Sequence, residues 1–176
     1  DDERLPPTAR ACLAGLARQF LSLHEEIARA ETRIQAWHRS SEVSQRLETI
    51  PGIGPITASA LAASITDPAL FKSGREMAAW IGLVPRQNST GGKERVGRIS
   101  KLGDQYLRWL LVACAMTIIR HAKRRGTTNL PWLANLIARR PTKVAAVALA
   151  NKMARMAWAL LSHGGTYRKP AAAPAA

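Results

Sequence analysis

An all-α fold is predicted for this 176-residue chain, on three observations. Apolar residues recur at helical spacing through most of its length. Ala and Leu are abundant while aromatic residues make up only 5% of the chain. Pro and Gly mark the ends of several of the periodic segments, as at Pro55, Gly82, Pro131 and Gly164. The expected architecture is a long coiled-coil-like N-terminal helix, then a helical domain containing a helix-hairpin-helix and one long irregular basic loop. The expected divisions are 1–45 for the first helix, as linker or dimerisation element, 46–167 for the domain, and 168–176 for a disordered tail.

In the first helix Leu13, Leu16, Phe20, Leu23, Ile27, Ala30, Ile34 and Trp37 step alternately by three and four, the a/d spacing of a coiled coil. So narrow a stripe needs a partner: a second copy, a segment outside the chain, or the chain's own domain. A helix then ends near Thr49, and "PGIG" turns the chain. A second helix starts on Pro55, where the missing N–H is harmless, and runs through Ala58, Leu61, Ala62 and Ile65 to Asp67-Pro68. An apolar-Pro-Gly-Ile-Gly turn followed by Thr-Ala-x-x-Leu resembles the helix-hairpin-helix module. In that module the glycines, here Gly52 and Gly54, let backbone N–H groups meet a phosphate. A simple tight turn between helices is the plainer reading.

Ser73-x-x-Glu76 is a capping box for a short helix that buries Met77, Trp80 and Ile81 and stops at Gly82. Residues 83–101 lack helical periodicity and contain Pro85, Gly91, Gly92 and Gly97, so they form the irregular loop. A helix from Gly103 or Asp104 follows, with Ser100 as its expected cap. It runs through Leu107, Leu110, Leu111, Cys114 and Ile118 to Lys123-Arg124-Arg125, cations that suit a helix C-terminus. Pro131 opens the next helix, which holds Trp132 and Ile137, and Pro141 breaks it. The last helix closes at Gly164-Gly165 and is expected to be the central, buried one.

The net charge is +14, and it is unevenly placed. Residues 1–50 hold 7 Lys+Arg against 8 Asp+Glu, whereas residues 51–176 hold 19 against 4, and no acid follows Asp104. An anionic partner, nucleic acid or acidic membrane, should therefore meet the later three quarters of the chain. Cys12 and Cys114 lie in apolar helical patterns and read as small core residues of a reducing compartment. No run approaches the roughly 18 apolar residues of a membrane span, and no signal peptide is seen. The expected setting is the cytoplasm, without membrane contact. The chain starts at Asp1, so an N-terminal portion is expected to precede it.

The few acids beyond residue 50 are scattered, so no metal site is expected in this chain. No phosphate-loop motif is present, because Gly92-Lys93 lacks the earlier Gly and the following Ser/Thr. His24, His38, His121 and His163 occur singly and read as structural. What remains is "NSTGGKERVGRISKLGDQYLR", residues 88–108. Ser89 and Thr90 stand beside Gly91-Gly92, followed by Lys93, Arg95, Arg98, Lys101 and Arg108, with Arg86 just before. A serine attacking a phosphodiester needs fixed cations for the charge on the phosphoryl oxygens, and Arg binds two oxygens at once. The same parts also suit a loop that only grips phosphate, so the residues alone leave both readings open.

From Ile50 to Tyr167 the sequence resembles the transposases of the insertion-sequence 110 family, with the related 116 and 902 groups. The resemblance is carried by "IPGIGPITASAL", "FKSGREMAAWIGLVPRQNSTGGKERVGRISKLGDQYLR" and "RRPTKVAAVALANKMARMAWALL". It implies a site-specific DNA recombinase of bacterial or archaeal mobile elements, directed by a structured guide (bridge) RNA. It also implies a RuvC-like N-terminal domain, absent from residues 1–176, whose acidic tetrad holds Mg2+. The resemblance carries the catalytic serine to Ser89, with Thr90 at the alternating position. Gly52, Gly54, Arg86, Gly91, Gly92, Lys93, Arg95, Arg98, Lys101 and Arg108 become the expected nucleic-acid contacts. A dimer through the first helix, or a tetramer, is the expected assembly. Alone, the chain should hold half an active site and be inactive. A non-catalytic nucleic-acid-binding helix-hairpin-helix module is the alternative.

Overall fold

The computed structural model describes residues 5–90, 93–126 and 131–168, and for residues 87–90 and 93–96 the backbone alone. Its order is α1 (Pro7–Ser40), α2 (Glu42–Glu48), α3 (Pro55–Ser64), a 3₁₀ turn (Pro68–Leu70), α4 (Gly74–Trp80), β1 (Pro85–Thr90), β2 (Lys93–Ile99), α5 (Gln105–Arg125), α6 (Pro131–Arg139) and α7 (Thr142–His163). The protein is all-α apart from one two-stranded sheet. The expected irregular loop is thereby corrected, since its residues form an antiparallel hairpin. Of the expected tail, residues 168–176, all but Arg168 lies outside the described residues.

The first helix breaks earlier than expected. Ser41 leaves helical geometry and its hydroxyl accepts from the Ser44 N–H, so it caps α2 and ends α1 at the same residue. At 34 residues α1 is roughly 51 Å long. Its contacts are with α2 and α3, where Ile34 is half-buried and His38 buried. Leu13, Leu16, Phe20, Leu23 and Ile27 are each more than half exposed, so most of the apolar seam is left uncovered by the other described residues. Cys12 is exposed as well, which corrects its expected place in a core.

The remaining helices gather around α7, which packs on α2, α4, α5 and α6. Its Ala145, Ala146, Leu149, Ala150, Met153, Ala154 and Ala157 are buried. Small side chains there let neighbours come close. Gly74 of α4 is the extreme case, because a Cβ would lie 3.1 Å from the Arg155 Cα. Leu47, Ile50, Leu61, Met77, Ile81, Leu107, Leu111 and Leu133 complete a single core with these residues. By length and composition α7 reaches the dimensions of a membrane span, unlike the expectation from the sequence. Lys152 and Arg155 interrupt it, and its apolar stripe is the hub of the core.

Trp80, expected inside, is 41% exposed and rests on Phe71 with ring centroids 5.5 Å apart. α4 is short, and Met77, Ala78 and Ile81 already fill its inner face.

Candidate nucleic-acid interface

The residues that carry the Ser89 motif form the hairpin. Gln87 pairs with Val96, Asn88 with Arg95, Ser89 with Glu94 and Thr90 with Lys93, and the register shifts between Pro85 and Gln87. β2 thus has one residue more than β1 across that shift, a bulge at Gly97-Arg98 opposite Arg86. Gly91 and Gly92 lie outside the described residues, as do the side chains of Ser89, Lys93 and Arg95. In the backbone ladder Glu94, the one carboxylate on the two strands, is the cross-strand neighbour of Ser89.

The hairpin is held at its root. Ser100 N–H donates to the Val84 carbonyl at 2.9 Å and Lys101 N–H to the Gly82 carbonyl at 3.3 Å, which continues the pairing down to the end of α4. Lys101 takes a left-handed φ of 55° to make this turn. The backbones cross so closely that only glycine fits: a Cβ on Gly103 would lie 1.7 Å from the Trp80 carbonyl oxygen. Arg108 locks the crossing, donating from Nη1 to the Ile81 carbonyl at 2.8 Å and to that of Leu102 at 3.4 Å. Of the expected phosphate cations whose side chains are described, it is the one engaged inside the fold. Arg86, exposed, donates from Nη2 to the Ser100 carbonyl at 3.3 Å. Arg98 and Lys101 are exposed on the same root.

Ser100 does not cap α5. Asp104 does, its Oδ1 accepting from the Leu107 N–H at 2.8 Å. The carboxylate sits at the N-cap itself, four residues beyond Ser100. The Ser100 hydroxyl is instead buried at the hairpin root and has no hydrogen-bond partner among the described residues.

The second expected element is the turn between α2 and α3. Ile53 N–H donates to the Ile50 carbonyl at 3.0 Å, with Pro51 and Gly52 (φ 84°) between them, the geometry of a type II turn. The two glycines differ in kind. A Cβ on Gly52 would lie 2.4 Å from Ile118 Cδ1, so this glycine also serves packing against α5. Gly54 begins α3 with an extended φ of −98°, and a Cβ there would meet nothing within 4 Å. The first N–H groups of α3 have no side-chain cap. Gly54→Val should therefore leave helical circular dichroism and melting nearly unchanged while weakening DNA binding several-fold. Gly52→Val should lower the melting temperature first. A Gly54→Val protein that melts as early as Gly52→Val would make both glycines packing residues.

The hairpin and the turn are not brought together. Both lean on α5, but Arg108 marks the hairpin's end of the helix while Ile118 marks the turn's end. Ten residues of helix separate those two by about 15 Å. Lys123, Arg124 and Arg125 lie past the turn's end, where Lys123 Nζ donates to Thr142 Oγ1 at 2.7 Å.

One cluster escaped the sequence. His38 Nδ1 lies 2.7 Å from Ser44 Oγ, His38 Nε2 lies 2.9 Å from Glu48 Oε2, and Ser44 Oγ lies 3.3 Å from Ser59 Oγ. The His38 ring thus bridges Glu48 and Ser44, and Ser44 passes the chain of hydrogen bonds on to Ser59. Serine, histidine and carboxylate stand in the order of a hydrolytic relay, but Ser44 is fully buried, so no substrate reaches it. The cluster joins α1, α2 and α3. Only the spacing of a histidine ahead of Ser-x-x-x-Glu could have pointed to it.

Among the described residues no three His, Cys, Asp or Glu side chains converge as metal ligands would. Against known proteins, residues 44–129 match the family model for transposases of the IS116/IS110/IS902 family. The chain is 49% identical over 164 residues to a probable family 20 transposase of Pseudomonas aeruginosa, covering 93% of this chain and 48% of that protein. It is 42% identical over 164 residues to the transposase for insertion sequence element IS1111A of Coxiella burnetii, covering 93% and 45%. It is 40% identical over 169 residues to the transposase for insertion sequence element IS1328 of Yersinia enterocolitica, covering 96% and 51%. The chain thus spans about half the length of these relatives.

Proposed function

Because the chain belongs to the family of IS116/IS110/IS902 transposases, we propose that it is the DNA-binding, serine-bearing part of an insertion-element recombinase. The observation that carries this reading is the hairpin, whose root is fixed by a backbone crossing, an arginine lock and α5, and whose strands carry Ser89 among cations. A nucleophile on a firmly rooted hairpin can enter a DNA groove while the helical domain stays outside it. In this mechanism Ser89 Oγ forms a bond to phosphorus as the bond to the leaving DNA oxygen breaks, giving a phosphoserine link. Arg86, Arg98 and Lys101 hold phosphoryl oxygens, joined by Lys93 and Arg95 on the strands. The leaving oxygen takes a proton as the serine loses its own.

Mg2+ would be held by carboxylates outside residues 1–176 and would polarise the phosphate. The described residues of this chain do not offer it a site. Direction by a guide RNA rests on the motif resemblance. The open N-terminus of α3 favours a second role for the α2–α3 turn, as a backbone clamp on phosphate some 15 Å from the hairpin. A covalent protein–DNA adduct through Ser89 is the test of the catalytic reading.

Two further results are expected of the chain. Binding to duplex DNA should fall steeply with salt: five hairpin cations on phosphates give a log–log slope near −4.5, a loss of roughly 10²–10³-fold between about 50 and 200 mM. A slope near zero in fluorescence anisotropy would end the electrostatic account. The exposed α1 seam should pair with the same seam of a second copy at tens of micromolar, roughly the range of modest coiled coils. Sedimentation would then show a species of twice the chain mass, and a Phe20→Glu, Ile27→Glu variant would return it to monomer.

A further inference from the structure

A groove of about 870 Å³ runs between the start of α4, the outer face of α7 and the first turn of α6. Its chemistry differs from that of the other cavities. Arg75, Lys152 and Arg155 line it with Trp132, Trp158 and Asn151. The three cations are exposed, and among the described residues none of them forms an ion pair. Glu76, the nearest carboxylate in sequence, is turned away and accepts from the Lys72 N–H at 2.6 Å. Trp132 is 44% exposed, with Lys152 Nζ 4.5 Å from its ring centroid. The far wall is rigid, because Trp158 Nε1 donates to the Pro68 carbonyl at 3.3 Å and its ring meets His163 edge-on.

We infer that this groove binds an unpaired stretch of a DNA strand, with a base displacing Lys152 Nζ from over the Trp132 ring and phosphates held by the released Lys152, Arg155 and Arg75. The inference rests on the DNA-binding reading above and adds a second, single-strand-selective site to it. Three points select the occupant. Unopposed cations beside a solvent-facing indole are what an unpaired nucleotide needs, since every base offers a π-face and every phosphate a charge. A stacked duplex cannot offer a base to Trp132, so paired DNA gains nothing from the ring. The groove also leads to the catalytic hairpin: Asn151, on its floor, donates from Nδ2 to the Leu83 carbonyl at 3.4 Å, two residues before β1 begins. A strand lying along α7 would therefore approach the root of the Ser89 hairpin with its bases unpaired.

Anisotropy titrations of the 176-residue chain with a labelled single-stranded oligodeoxynucleotide, the matching duplex and an RNA of the same sequence test this. Trp132→Ala should weaken single-stranded DNA binding by roughly five- to a hundredfold and duplex binding by less than about twofold. Trp132→Phe should retain most of the affinity. Arg155→Gln, on the exposed face of α7, should weaken single-stranded binding while leaving the circular dichroism unchanged. Equal losses for single strand and duplex, or none with either variant while DNA still binds, would overturn the groove alone. A Trp132→Ala loss confined to the RNA would overturn the choice of DNA. A wild-type chain that binds none of the three would sink the DNA-binding reading, and the groove with it.

Discussion

Ser89→Ala, tested in this chain supplied with the acidic domain that the proposed mechanism requires, is expected to abolish the covalent protein–DNA adduct and reduce strand transfer by at least about 10³-fold. DNA affinity should change little, because the cations of the hairpin remain. Thr90→Ala should keep most of the adduct, because the motif resemblance carries the serine to position 89 and leaves Thr90 at the alternating position. Residues 1–176 alone should give no adduct with or without Mg2+. Denaturing gels with labelled DNA read all of these. An adduct that survives Ser89→Ala but not Thr90→Ala would transfer the role to Thr90; one that survives both would leave the hairpin as a phosphate grip.

The largest effect on stability is expected at Gly103. Its φ of 85° already disfavours a side chain, and a Cβ would stand 1.7 Å from the Trp80 carbonyl oxygen, so backbone must move. Gly103→Ala should destabilise the chain by about 3 kcal/mol or more, lowering the melting temperature by roughly 6–12 °C. Gly54→Ala is the control: its φ of −98° suits any residue and a Cβ there meets nothing within 4 Å, so its melting temperature should barely move. If the two variants melted together, the crossing between α4 and the start of α5 would not hold the hairpin root. Because Arg108 locks the same crossing, Gly103→Ala should also reduce DNA binding.

Much of this was legible in the sequence, for identifiable reasons. Pro55, Pro131 and Pro141 mark helix starts because the ring fixes φ and removes an N–H that has no partner there, and α3, α6 and α7 start at or just after them. Gly164 closes α7 with a positive φ. The Ser73 cap and the burial of Met77 and Ile81 also stand. The hairpin was hidden because its strands are polar and do not alternate apolar with polar residues, so periodicity had nothing to detect. The Gly-Gly pair between two such stretches is the usual sign of a two-residue hairpin connection, and it was the one cue available. The break at Ser41 carries no Pro or Gly, so the usual punctuation of a helix end is missing there. The groove of Arg75, Trp132, Lys152 and Arg155 could not be read at all, because three separate helices, α4, α6 and α7, supply it.

The buried link from His38 through Ser44 to Ser59 is also the fulcrum of a lever. From Ile34 to its first residue, α1 extends roughly 40 Å beyond its packing on the other described elements. At that radius a rotation of about 10° about the His38 joint moves the far end by roughly 7 Å. Whatever the tip of α1 carries is thus aimed by three hydrogen bonds at its base, and a small rearrangement there would displace that cargo by more than the width of a strand.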